Sequence, residues 1–228
     1  MLPKDFPPWQ NVYRTFRRWS QQGKFEQMHD RLRAQWRERE GRDPMPSTAV
    51  LDAQSTRSSP QGGTSGYGAG KKVKGRKRHV LVDTLGLILA VSVTAASVQD
   101  RDGAHPVMAS GMEKYAGISR VFVDAGYAGR CAQTISQQHA ISVEVVRHPG
   151  NANVGRWCTP NQEDLFTRQP DAKGFIVLPK RWVVERTHAW IEKARRLVMH
   201  HDRRVEVSEA WVWLAASRQL LNRLTRLS

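Results

Sequence analysis

Three acidic side chains, far apart in the chain, have the type and setting for metal-dependent phosphoryl chemistry. Asp52 closes the apolar run Ala49-Val50-Leu51, and Asp124 closes Val121-Phe122-Val123. A strand ending in Asp sets that carboxylate at the sheet's edge, beside the loops where ligands of open α/β sheets gather. Glu185 stands in the helical run Arg181-Trp182-Val183-Val184-Glu185-Arg186-Thr187-His188. The intervals are 124 − 52 = 72 and 185 − 124 = 61 residues. Mg2+ is a hard cation that takes oxygen ligands, with waters and phosphate oxygens completing an octahedron. Two such ions about 3.5–4 Å apart serve the attacking and the leaving oxygen of a phosphodiester displacement. Taken singly, each Asp is more often a turn former, and Glu185 a surface glutamate paired with Arg181 or Arg186. Their combination in one basic chain is what points to chemistry.

The charge supports that direction. The 228 residues carry 36 Lys+Arg against 21 Asp+Glu, a net of +15, with a pI near 10.6. Such a surplus fits a polyanionic partner, most often nucleic acid. An apolar content of 39% and a mean hydropathy of −0.57 allow a core but not a membrane protein. The longest apolar stretch, Leu85 to Val98, is broken by Gly86, Ser92, Thr94 and Ser97 and falls short of the ~20 residues a spanning helix needs. The opening Met1 to Pro8 holds no apolar segment of a secretory signal. Cys131 and Cys158 cannot form a disulfide framework, so a reducing cytoplasm, with association to the nucleoid, is the expected setting.

Other motifs fall short. Gly66-Tyr67-Gly68-Ala69-Gly70-Lys71-Lys72 lacks the spacing of a phosphate-binding loop and its closing Ser or Thr. It is read as part of a flexible, glycine-rich loop from Ser58 to Gly70. Gly63-Thr64-Ser65-Gly66 misses the nucleophile elbow, because Tyr67 stands where its second glycine belongs. His148, Cys131 and Cys158 show no paired zinc spacing. His200-His201, in a basic run, reads as surface or phosphate-facing.

The elements that must position the acids follow from periodicity. Trp9, Val12, Tyr13, Phe16 and Trp19 fall on one helical face, and Phe25, Met28, Leu32 and Trp36 on a second. Arginines fill most positions between them, as a solvated face or a DNA-contacting one. Gly41 to Pro46 breaks these helices, so residues 1–46 form a small N-terminal helical appendage with its linker, and residues 47–228 the main domain. Lys71-Lys72-Val73-Lys74-Gly75-Arg76-Lys77-Arg78, six of eight cationic, leads into His79 to Asp83. A Leu85-Gly86 turn joins that strand to Leu87 to Val93, a hairpin signal. A helix from about 102 to 115, the strand ending at Asp124, a helix 128–138 and a strand 141–147 follow. An irregular loop 148–173, a short strand Phe175-Ile176-Val177 and helices 181–197 and 206–226 complete the order. Strands interleaved with helices give an α/β fold with a mixed sheet. The early hairpin narrows this to a ribonuclease-H-like mixed sheet flanked by helices.

Leu51-Asp52-Ala53-Gln54-Ser55, Gly75 to Asp83, Val98-Gln99-Asp100-Arg101-Asp102-Gly103-Ala104, Val123-Asp124-Ala125-Gly126-Tyr127-Ala128-Gly129 and Arg181 to Thr187 together resemble the DDE transposases of bacterial insertion sequences. The resemblance runs from about Leu2 to Leu197. It implies that Asp52, Asp124 and Glu185 are the catalytic acids and hold two Mg2+ ions, with Mn2+ able to substitute. It further implies cleavage and strand transfer on double-stranded DNA, at the element's terminal inverted repeats and at a target, by a homodimer on DNA. The family's glutamate signature places Tyr three positions before Arg and Lys seven after Glu. Here Arg181 and Glu185 keep their spacing, while Leu178 and Glu192 occupy the other two positions, with Lys193 next to the second. Pro3 to Trp9 resembles the middle of the family's N-terminal helical domain, so the chain reads as shortened.

DNA contacts are expected from Lys71, Lys72, Lys74, Arg76, Lys77, Arg78, Arg181, Lys193, Arg195 and Arg196. Two other readings remain at this level. One is a catalytically inactive, truncated DNA-binding protein that competes for element ends. The other is a ribonuclease-H-like nuclease with no preference for repeated ends.

Overall fold

Strand alternation, rather than the count of charges, decides which basic residues reach solvent. The computed structural model describes residues 5–60, 63–146 and 180–225. In chain order the elements are α1 (Trp9–Gln21), α2 (Lys24–Arg39), β1 (Thr48–Arg57), β2 (Gly66–Gly68), β3 (Val73–Asp83), β4 (Ile88–Ala95), α3 (Asp100–Lys114), β5 (Arg120–Asp124), α4 (Arg130–His139), β6 (Ser142–Val146), α5 (Arg181–Glu192) and α6 (Val205–Thr225). The expected strand 175–177 and the loop 148–173 lie outside the described residues.

The sheet runs β2-β3-β1-β5-β6, with β4 on the outer side of β3. β1, β3 and β4 form an antiparallel meander. β5 and β6 lie parallel to β1 and to each other, which requires crossover connections, here α3 and α4. This mixed α/β order is the ribonuclease-H-like arrangement.

Side chains alternate across the sheet, so each strand feeds two cores. Ala49, Leu51, Leu81, Val121 and Val123 pack against Val107 and Met108 of α3 and Ile135 of α4. Val50, Val80, Val82 and Phe122 pack against Val183, Val184 and Ile191 of α5 and Val212, Trp213 and Ala216 of α6. With period two, Asp52 follows Val50 and Asp124 follows Phe122 onto the face covered by α5 and α6.

The β3–β4 turn fixes α5 in place. Thr187 Oγ1 donates to the Gly86 carbonyl at 2.7 Å, and Arg186 Nη2 donates to that of Leu85 at 2.9 Å. Asp83 holds the same turn by accepting from the backbone N–H groups of Leu85 and Leu87, both at 2.9 Å.

The N-terminal helices depart from their apolar pattern. α2 buries Phe25, His29, Arg33 and Arg37 rather than the face through Met28, Leu32 and Trp36. Those buried polar groups have partners. Arg37 forms a 2.5 Å ion pair with fully buried Asp83, Arg33 donates to the Pro44 carbonyl at 2.8 Å, and His29 packs on the Trp213 ring. Lys114 of α3 reaches back to Glu26 at 2.7 Å and Asp30 at 3.0 Å. α1 buries no residue fully, and it docks mainly through Phe16 on Phe25 and Trp211. Among the described residues, no helix is long and apolar enough to cross a membrane.

Candidate active site

Asp52 lies in the middle of β1, not at its end as the apolar run suggested. Pairing with β3 continues to Arg57↔Gly75 and sets Asp52 opposite Val80. Pairing with β5 stops at Val50↔Phe122. Asp52 is thus at an edge only on the β5 side, where the two strands part beside Asp124. A register of 122 − 50 = 72 is also the separation of Asp52 from Asp124, so the same register carried two residues further sets them opposite each other.

α5 supplies the third acid and the counter-charges. Arg181 Nη1 lies 3.2 Å from Asp124 Oδ2, and its Nη2 lies 3.5 Å from Glu185 Oε1 one turn along. A planar guanidinium with donors on both nitrogens suits this double role. Burial lowers the Arg181 pKa, but Asp52, Asp124 and Glu185 outweigh it and hold the guanidinium above its ordinary value. All three acids therefore act on one cation. Asp52 Oδ2 lies 3.5 Å from Nε2 of buried His188. Asp124 is further fixed by accepting from the Gly126 backbone N–H at 2.7 Å.

Two more polar groups border the acids. The Tyr127 hydroxyl is buried without a hydrogen-bond partner. Burial, then the charges of Asp52, Asp100 and Asp124, push its pKa far above the ordinary phenol, so it stays a neutral donor. Gln54, two residues past Asp52, donates to Glu192 Oε1 at 2.9 Å. Sequence reasoning passed over Tyr127 and Gln54, although both sit inside the quoted motifs.

Hard oxygen donors on β1, β5 and α5 fit a divalent cation by chemistry. Their present partners are Arg181 and His188, and among the described residues no three acidic, His or Cys side chains converge as a metal cage. Asp52, Asp124 and Glu185 are the residues that would hold such an ion.

The expected DNA-contacting residues divide sharply. Lys71, Lys72 and Lys74 are exposed, as are Lys193, Arg195 and Arg196, although Arg196 also pairs with Asp202 at 2.9 Å. Arg76 and Arg78 are 0% exposed, which corrects the expectation for both. They alternate onto the α6 face, where Arg76 donates to the Thr64 carbonyl, Ser208 Oγ and the Arg203 carbonyl at 2.7–2.9 Å. Arg78 donates to the Leu197 carbonyl. Lys77 alternates to the other face and is held by Asp100 at 2.7 Å and the Val98 carbonyl at 2.6 Å. His200, expected at the surface, is buried, with its pKa pushed down to about 3 by burial and by Arg78, Arg76 and His201.

A family model described as a transposase DDE domain matches residues 43–220. A putative transposase for insertion sequence element IS402 of Burkholderia cepacia is 27% identical over 159 residues, a match covering 67% of this chain and 65% of that protein's length. Two solved structures also align. The catalytic core domain of BIV integrase does so with a TM-score of 0.38 and 12% identity, over 80% of this chain and 86% of that one. The Mos1 mariner paired end complex with Mn does so with a TM-score of 0.34 and 10% identity, over 88% of this chain and 60% of that one.

Proposed function

The chain belongs to the transposase DDE-domain family, and from that premise we propose that Asp52, Asp124 and Glu185 form the acidic centre of a DNA strand-cleaving and strand-transferring enzyme. The observation that carries this reading is the shared counter-charge. Asp124 at the end of β5 and Glu185 on α5 pair with the single Arg181 guanidinium at 3.2 and 3.5 Å, and the β1–β5 register carries Asp52 to the position opposite Asp124. Divalent metal ions are generally used in the family. Bound here, two of them would offset the charge of a phosphoryl transition state and favour an activated oxygen nucleophile.

The chain's own residues have distinct parts. Asp52 and Asp124 are held by rigid strands and Glu185 by a helix pinned to the β3–β4 turn, which keeps the acids positioned. Arg181, beside them, donates to a phosphate oxygen once the acids take another cation. Lys193, Arg195 and Arg196 follow on the C-terminal side of α5 and grip flanking backbone, a contact that weakens with salt. Element ends and target DNA are the proposed substrates, in a dimer that bridges two ends.

The test is cleavage of a duplex carrying the element's own terminus, with Mg2+ and with chelator. Wild-type protein is expected to nick it only with metal, and Asp124→Asn to bind it without nicking. Full metal-dependent cleavage by Asp124→Asn would remove that residue from the centre.

A further inference from the structure

The segment expected to be a flexible loop instead contributes a rigid β-ribbon. β2 pairs with the start of β3 in the register Gly66↔Gly75, Tyr67↔Lys74 and Gly68↔Val73. The glycine pair lies flush against the protein. A Cβ on Gly66 would come within 2.3 Å of Ser97 Oγ, and one on Gly75 within 2.1 Å of the Thr56 carbonyl oxygen. With glycine at three of the four positions on that side, Val73 being the fourth, the ribbon seats directly on the ends of β1 and β4. Its other side carries Tyr67 and Lys74, directly opposite each other, with Tyr67 58% exposed.

Alternation along β3 tells which side of the sheet this is. Lys74, Arg76, Arg78 and Val80 share one face, and Val80 is the cross-strand partner of Asp52. Tyr67 and Lys74 therefore emerge on the same face as the acidic centre. They lie six residues along β3 from Val80, roughly 20 Å at the usual strand rise, or about six nucleotides of a stacked strand. Between them runs the segment that crosses this face. Its His200 N–H donates to the Arg57 carbonyl and its His200 carbonyl accepts from Ser59, both at 2.8 Å. That segment exposes Arg195, Arg203 and Arg204. At the ribbon itself the exposed Tyr67 ring is accompanied by the exposed Lys71, Lys72 and Lys74.

We infer that the ribbon is a binding site for single-stranded DNA, in which Tyr67 stacks on an unpaired base and Lys74 holds the adjoining phosphate. Stacking on an aromatic ring beside a cationic groove is how single strands are bound without sequence readout. A base inside an intact duplex offers its face only at a cost in unstacking, so an exposed ring favours strands opened next to the cleavage point. The inference rests on the acidic-centre reading for its geometry but not for its measurement.

The experiment is fluorescence anisotropy with two probes, a blunt duplex and the same duplex with a ten-nucleotide single-stranded tail, in chelator. Wild type is expected to prefer the tailed probe. Tyr67→Ala should weaken tailed binding about tenfold, the size of one base–aromatic stack, and leave blunt binding unchanged. Tyr67→Phe should behave as wild type, and Lys74→Gln should lower the salt slope for the tailed probe by about one. Equal affinity of wild type and Tyr67→Ala for the tailed probe would overturn the assignment, as would equal losses on both probes. Cleavage with Mg2+ is scored separately, so a protein that binds tails but does not cut fails the catalytic reading alone.

Discussion

Asp52 and Asp124 are equivalent positions on neighbouring parallel strands, each two residues past the last paired residues, Val50 and Phe122, and each on the α5 face. Two carboxylates facing each other where the strands part repel unless a cation lies between them. This equivalence predicts matching phenotypes. Asp52→Asn and Asp124→Asn should each lower metal-dependent nicking by about a hundred- to a thousandfold, the scale of losing one charge-stabilising group at a reacting centre, while duplex affinity stays within about twofold. Single-turnover nicking beside anisotropy checks it. A variant that keeps a tenth of wild-type nicking would show its acid to be structural.

Arg181 sits where it compensates the acids in the absence of metal. Arg181→Ala should lower the melting temperature by about 2–4 °C in chelator, the shift of roughly 1 kcal/mol in a protein of this size. Mg2+ should then raise the melting temperature of the variant more than that of wild type, because no internal cation competes and ligand binding adds to stability by mass action. Thermal melts at matched Mg2+ concentrations decide it. Equal Mg2+ shifts in both proteins would mean that the guanidinium and the metal do not share the acids.

The basic run 71–78 divides by exposure into two phenotypes. Lys71→Gln and Lys72→Gln should each reduce the salt slope of DNA binding by about one and leave the melt unchanged. Arg76→Met strands three acceptors, Thr64 O, Ser208 Oγ and Arg203 O. It should lower the melting temperature by several degrees with no change in salt slope well below that temperature. A reduced slope for Arg76→Met would put its guanidinium on DNA after all.

Much of this was legible in advance. Strands around Asp124, the β3–β4 hairpin and both C-terminal helices followed from periodicity, because apolar alternation and turn glycines report local structure directly. Asp52 was misplaced within its strand, since polar residues Gln54 to Arg57 continue the pairing with β3 without an apolar signal. The fate of Arg76 and Arg78 was hidden for the same reason. Their neighbours Val73 and Gly75 carry little pattern, and the carbonyls that receive them come from residues more than a hundred positions away, apart from Thr64. α2 shows the limit most plainly, because Arg37 is buried against the Asp83 carboxylate and the Asp43 carbonyl, partners no helical wheel contains.

Glu209 and the buried histidines predict opposing pH dependences. Glu209 Oε1 accepts from the Val93 N–H at 2.8 Å. Burial pushes its carboxyl up to about 7, with Val93 pulling it down and Glu206 and Glu26 adding to the rise. A folded pKa above the unfolded value of 4.5 means the native state holds the proton more tightly, so this contribution is full below about 4.5 and is lost as pH rises to about 7. His79 is pushed down to about 4 by burial, with Asp100 and Asp52 pulling it up and Lys77 down. Its contribution, like that of His200, runs the other way, full above 6.5 and lost on acidification. Glu209→Gln keeps an acceptor for Val93 and removes only the titration. The stability difference between Glu209→Gln and wild type, from urea unfolding between pH 4 and 8, should be constant at low pH. It should grow by about 2–3 kcal/mol between 4.5 and 7, and level off above. A difference that does not change with pH would mean that Glu209 titrates in the fold as it does in the unfolded chain, and that the histidines alone set the profile.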